Sequence, residues 1–367
     1  MDTSVKSKKK ILIIDDSALM RRVMSDIIKS DHGLCVEDEA TNGQEGISYL
    51  AHGKVYDLIL LDINMPKMDG LAFMKKLVEM ENRTKVLVVS SIASKSTKET
   101  IQALELGAFD FVKKPENYIG STTNEFKEQL LCKVNVALGN EQLVDKNLNF
   151  DKLQVSKKQI KPTRTLVFPK GKQSSEGKMV FIATSTGGPK TLQQVIPYFP
   201  ASFPYPIVVI QHMPEGFTNS LAERLNQMSK IQVRETEDGE VLQKGVAYIV
   251  KGGHQCYILQ KSSREHVFAI TKDEPRHGLR PCADVTLESL ADTGYEEIIC
   301  TVLTGMGDDA TRGLAYLQQY KTISVFAQDR ESSVVYGMPR AVKHAGLVAE
   351  ETALQSISSA IIKKAGE

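Results

Sequence analysis

The chain has 367 residues, 41% of them hydrophobic and 25% charged, a mix that supports buried cores, excludes wholesale disorder, and at this length suits two domains better than one. Lys+Arg at 46 against Asp+Glu at 45 leave a formal charge of +1, which gives no electrostatic case for nucleic acid or a membrane surface as partner. Cys35, Cys132, Cys256, Cys282 and Cys300 form no CxxC pair, no apolar run nears a membrane span, and no signal-peptide segment follows polar residues 1–10, so reduced thiols in a cytoplasmic protein are expected, without a disulfide framework, zinc site or membrane insertion.

From residue 11 to about 138, short apolar runs alternate with amphipathic stretches. ILII (11–14), DLILL (57–61), KVLVV (85–89), FDFV (109–112) and the weaker 35–39 read as strands. Residues 18–28, 71–80, 97–106 and about 123–138 carry helical period. Strands apolar along their whole length are buried on both faces, so the alternation gives a parallel sheet covered by helices over 1–139. Residues 140–178, rich in Lys, Gln, Asn and Ser and carrying Pro162, Pro169, Gly171 and Gly177, read as a polar linker. A second α/β pattern fills 179–367. Its strands are expected at 179–183, 206–211, 246–250, 256–260, 267–271, 297–303 and 322–327, and its helices near 190–199, 218–228, 285–291 and 310–320. A doubly wound, mainly parallel sheet follows, with helix-free 246–271 inserted as an antiparallel hairpin.

Three carboxylates fall at carboxyl ends of expected strands: Asp15 and Asp16 after ILII, and Asp62 after DLILL. Ligands bind at that edge of an open parallel sheet. Carboxylates converging there repel one another unless a cation joins them, and oxygen ligands of this kind suit Mg²⁺. Ser90 and Lys114 reach the same edge, a hydroxyl and an ammonium able to hold a phosphoryl group. Lys114–Pro115 is a candidate cis bond.

The Asp-Asp pair, Asp62, MPKMDG (65–70), Ser90 and Lys114-Pro115 together resemble the response-regulator receiver family. The resemblance implies a flavodoxin-like, doubly wound five-stranded parallel sheet. It also implies that Asp62 takes phosphate from a histidine kinase and that Asp15, Asp16, Asp62 and the main-chain carbonyl of Asn64 hold Mg²⁺. Ser90, Phe111 and Lys114 would couple the phosphate to the surface.

In the second half, TSTGGP (184–189) follows a strand and opens a helix. A serine on such a turn presents its Oγ, the glycines let backbone N–H groups approach a substrate oxygen, and Pro189 suits the first helical turn. The same turn would serve as a phosphate loop or a plain helix cap. His212 follows the strand at 206–211, and LTGMGDDA (303–310) puts Asp308 and Asp309 at the end of another. Three strand ends thus deliver a nucleophile, a base and an orienting acid to one rim, in an order unlike that of α/β-hydrolases.

STGGP (185–189), QHMPEGFTNSLAERL (211–225), RPCADV (280–285), LTGMG (303–307) and AQDRESSVVYGMPRA (327–341) resemble the catalytic domain of the chemotaxis protein-glutamate methylesterase family. The resemblance implies Ser185 as nucleophile, His212 as general base and Asp309 as orienting acid, with Thr186 and Met306 beside the oxyanion site. It further implies hydrolysis of glutamate methyl esters and deamidation of glutamines on cytoplasmic chemoreceptor helices, by a monomer whose esterase needs no cofactor. Asp308, Ala310, Ala183-Thr184 and Lys251 depart from the family pattern without removing a triad member. Arg280 and Asp284 are read as an ion pair that fixes a loop, or Arg280 as a contact to an acidic receptor surface, His254 and His277 as surface residues, and Leu221 and Leu225 as core. A receiver-linked scaffold with a lapsed site is the rival reading, which intact Ser185, His212 and Asp309 argue against. A receiver-controlled transcription factor lacks a basic recognition helix.

Overall fold

A computed structural model describes residues 8–115, 121–140, 177–262 and 265–366. The expected linker lies, but for its ends, outside them. The described residues fall into two compact units, one within Met1–Asn147 and one within Leu148–Glu367.

The first unit alternates β1 (Lys9–Ile14), α1 (Ala18–Lys29), β2 (Leu34–Ala40), α2 (Gly43–Ala51), β3 (Leu58–Asp62), α3 (Gly70–Glu79), β4 (Lys85–Ser90), α4 (Ser94–Glu105), β5 (Asp110–Lys113) and α5 (Ser121–Ala137). All strands pair in parallel in the order β2-β1-β3-β4-β5, the flavodoxin-like order. Ile11, Ile13, Leu58, Leu60, Leu87, Val89 and Val112 pack under α1 and α5. The alternate residues Leu12, Ile14, Ile59, Leu61, Val86 and Val88 are buried too, so both sheet faces are covered. Each such side chain contributes about 1.5–3 kcal/mol. Helix starts are set locally: Ser17, Asn42 and Asp69 side chains accept the backbone N–H of Met20 at 3.3 Å, Glu45 at 3.0 Å and Ala72 at 2.8 Å. The Lys114–Pro115 bond is trans, and the cis peptide among the described residues is Arg280–Pro281.

The second unit contains β6 (Lys178–Thr184), α6 (Gly188–Leu192), β7 (Ile207–Gln211), α7 (Phe217–Met228), β8 (Gln232–Glu235), β9 (Val246–Ile249), β10 (Gln255–Gln260), β11 (His266–Thr271), α8 (Ala283–Ser289), β12 (Glu297–Val302), α9 (Thr311–Leu317), β13 (Thr322–Gln328), α10 (Met338–His344), β14 (Glu350–Thr352) and α11 (Ile357–Ala365). Seven strands form one parallel sheet in the order β14-β13-β12-β6-β7-β9-β8, and β10 and β11 form a separate antiparallel hairpin. The hairpin expected over 246–271 is therefore shorter: β9 pairs in parallel with β7 and β8 and belongs to the main sheet. Phe268 and Ile258 of the hairpin join Leu287, Leu314, Met338 and Val342 against Phe181, Val208, Ile298 and Cys300. Leu221 and Leu225 are fully buried, as expected. The single helix expected at 190–199 ends at Leu192, and a separate 3₁₀ turn, Ile196–Tyr198, carries Pro197, which has no N–H for a continuous helical ladder. Among the described residues, no helix is long and apolar enough to cross a membrane.

Candidate active site

At the carboxyl edge of the first sheet, Asp15, Asp16 and Asp62 present oxygens within 4.8 Å of one another. Asp15 and Asp62 are buried, and the Lys114 ammonium stands 2.8 Å from Oδ2 of each. Burial pushes the Asp62 pKa up to about 6, and Asp15 adds to that rise while Lys114 opposes it. Burial works against the charge on Lys114, yet Asp62 and Asp15 outweigh it and raise its pKa. Gly70 lets α3 begin against this centre: a Cβ there would stand 2.4 Å from Asp62 O. Ser90 is fully buried and its Oγ accepts from Thr100 Oγ1 at 2.8 Å. Phe111 is buried, with the Lys133 ammonium 5.2 Å from its ring centroid. The exposed Asn64 side chain donates to Ser96 Oγ at 2.6 Å, and its main-chain carbonyl accepts no hydrogen bond among the described residues.

This donor set fits Mg²⁺. It is all oxygen, and buried Asp15 Oδ2 has the Lys114 ammonium as its one partner among the described residues, without hydrogen-bond geometry. A hard divalent cation takes such oxygens at little cost in reorganisation.

In the second unit, β12, β6 and β7 are adjacent, and the segments that leave their carboxyl ends carry Asp309, Ser185 and His212. His212 Nε2 donates to Asp309 Oδ2 at 2.7 Å. Asp309 is buried and also accepts the backbone N–H groups of Ala283 at 2.7 Å, Asp284 at 3.0 Å and Ala310 at 2.9 Å. Burial works to raise its pKa, but His212 and these amides outweigh that and hold it below the usual carboxylate range. Asp308 instead lies at the surface side of the pair, 3.5 Å from Arg312.

The serine turn is tightly braced. Ser185 N–H donates to Thr304 O at 3.0 Å, and Ser185 O accepts from Gly188 N–H at 2.8 Å and Gln211 Nε2 at 2.9 Å. Gly187 has φ +79°, and a Cβ on Gly188 would stand 2.0 Å from Gln211 Oε1. Among the described residues Ser185 Oγ makes no hydrogen bond, and neither do the N–H groups of Thr186 and Met306. The half-buried Ser185 hydroxyl thus lies on a turn that leads into a helix, with the 305–306 turn packed against it, and backbone donors of this kind are what an oxyanion site uses.

Both domains match family models: "response regulator receiver domain" over residues 11–119 and "CheB methylesterase" over residues 180–361. A protein-glutamate methylesterase/protein-glutamine glutaminase 1 of Syntrophomonas wolfei is 36% identical over 358 residues, covering 97% of this chain and 99% of that protein. The chain belongs to the protein-glutamate methylesterase/protein-glutamine glutaminase family. The family member of Bacillus subtilis is 38% identical, covering 96% of this chain and 97% of that protein. The crystal structure of the Thermotoga maritima CheB methylesterase catalytic domain matches with a TM-score of 0.50 at 39% identity, covering 52% of this chain and 99% of that one.

Within this family fold, several expected placements change. The Arg280–Asp284 ion pair does not form: Arg280 lies 3.4 Å from the carbonyls of Lys272 and Asp273, while Asp284 accepts Gly313 N–H at 2.6 Å. His254 is buried, 3.0 Å from Gly252 O, because the KGG turn at 251–253 folds tightly against the segment after His212. A Cβ on Gly252 would stand 2.5 Å from Met213 O. His277 is exposed, as expected. Sequence reasoning did not single out Gln211, Thr304 or the amides of Ala283 and Asp284. Their signal was present in the unusual runs QHMPEG and RPCADV, but backbone donors leave no mark on residue type.

Proposed function

We propose that the C-terminal domain hydrolyses glutamate methyl esters, and deamidates glutamines, on chemoreceptor helices through Ser185, His212 and Asp309, and that phosphorylation of Asp62 controls it. The observation that carries this reading is the 2.7 Å bond between His212 and Asp309, on the segments that follow the strands flanking the Ser185 strand. With Nε2 engaged by Asp309, Nδ1 is the nitrogen left to take the Ser185 proton. The serine oxygen attacks the ester carbonyl, and the N–H groups of Thr186 and Met306 receive the oxyanion. His212 then returns the proton to the leaving methoxide, releasing methanol. Water attacks the acyl-serine with His212 again as base, giving glutamate and free Ser185. A glutamine substrate loses ammonia by the same steps. In the receiver, Asp62 is the acceptor, Lys114 and Ser90 hold the phosphoryl group, and Asp15, Asp16, Asp62 and Asn64 O would hold Mg²⁺, which supplies neutralising charge. Methanol release from methylated receptor tests the reading: Ser185→Ala should remove it, by about 10³-fold or more, from a protein that remains folded. Release by that variant at the parent's rate would refute it.

A further inference from the structure

The turn that aims Asp309 is strained. Ala310 has φ +80°, a left-handed conformation that L side chains rarely adopt, costing about 1–2 kcal/mol. Something must hold it, and the His212 bond alone leaves the following chain free to swing. The neighbouring hydrogen bonds supply the restraint. Asp284, in the first turn of α8, donates its N–H to Asp309 Oδ1 at 3.0 Å. Its own carboxyl accepts the N–H of Gly313, in the first turn of α9, at 2.6 Å. The two helix starts are pressed together there: a Cβ on Gly313 would stand 2.8 Å from Asp284 Cα and 2.8 Å from Leu287 Cβ. Asp284 is 1% exposed.

We propose that Asp284 is a positioning residue for the orienting acid: its carboxyl latches the start of α9 to the start of α8 and so fixes the strained 308–310 turn with Asp309 facing His212. The proposal rests on the triad reading given above. What the carboxyl contributes is one acceptor oxygen, Oδ1, held against Gly313 N–H. Burial and the nearby Asp309 raise its pKa well above the usual range, Glu288 adds to that, and Gly313 N–H and Arg276 oppose it. An amide of the same shape therefore reproduces what it does, and a shorter side chain cannot reach Gly313.

The test compares kcat and KM for receptor-ester hydrolysis by the full chain carrying Asp284→Ala, Asp284→Asn or Asp309→Asn, with thermal melting alongside. Asp284→Ala should lower kcat by about 100-fold, the scale of loss from an ångström of misplacement, while KM stays within about two-fold because receptor contacts are untouched. Asp284→Asn should recover most of that kcat. If the alanine variant does not fold, Asp284→Ser serves as the truncation. A truncated, folded variant with the parent's kcat overturns the proposal, as does an asparagine variant as slow as the truncation. Asp309→Asn separates the two claims: full activity there would sink the triad reading itself, whereas a dead Asp309→Asn beside a fully active Asp284→Ala would sink the latch alone.

Discussion

As the proposed phosphate acceptor, Asp62 has to be reactive, and yet it sits where a carboxylate is uncomfortable. It is buried, faces Asp15, and shares one ammonium with it. Its folded pKa of about 6 exceeds the ordinary value of 3.8. Between about pH 4 and 6 the fold therefore binds a proton that the unfolded chain has released, so stability falls as pH rises through that window. Above it, the charged Asp62 costs about 3 kcal/mol. Asp62→Asn removes that cost and leaves Lys114 its ion pair with Asp15. In chelator, the receiver's urea transition at pH 8 should gain about 1–3 kcal/mol, and the gain should vanish at pH 4. An unchanged or lower midpoint at pH 8 would contradict this account of the cluster. The acidic edge was legible because apolar strands ending in Asp leave little else for those residues to do. The choice within the Asp308-Asp309 pair was legible only through family resemblance, since two adjacent identical carboxylates differ in nothing but the backbone that carries them. The left-handed Ala310 and the amides at the start of α8 separate the pair, and neither shows in composition or period.

Elements were legible where burial dictated them. The central strands β6, β7 and β12 are apolar nearly throughout, and their expected bounds differ from the observed ones by a residue. The edges were not. QVRE of β8 and EET of β14 are short and polar, as edge strands are when one side faces solvent. Missing β8 made β9 look like part of the hairpin, because nothing in VAYI tells a parallel neighbour from an antiparallel one. The turn from β6 into α6 gives a sharper test of element geometry. Gly188→Ala would drive Gln211 Oε1 out and break the Gln211 bond that holds Ser185 O. Turnover should fall by at least about 10-fold, since placement of the proposed nucleophile is at stake. Gly307→Ala is the control: φ there is +83° but a Cβ would meet nothing within 4 Å. It should cost about 1 kcal/mol in melting from the left-handed backbone with little loss of turnover. Equal turnover for both variants would mean that the Gln211 brace does not position the serine.

At the scale of the whole molecule, two sheets of different size each bring their chemistry to the carboxyl edge, and neither needs the other to form its core. The alternation of strand and helix in the sequence pointed to two domains, and the described residues fall into two units; the polar stretch expected between them lies, but for its ends, outside the described residues. How a phosphate on one domain would alter an esterase on the other has no signature in residue pattern, since it would depend on a difference in free energy between states. A bias of about 1–3 kcal/mol would alter turnover roughly 5- to 150-fold. The most direct measurement of the central claim is the rate of methanol release from methylated receptor by the full chain, with and without a small phosphodonor and Mg²⁺. The account predicts a rise with phosphodonor in the parent, no rise in Asp62→Asn, and no release in either condition for Ser185→Ala. A parent rate indifferent to phosphodonor while Asp62 is demonstrably phosphorylated would contradict control by the receiver, and release from Ser185→Ala would contradict the catalytic site.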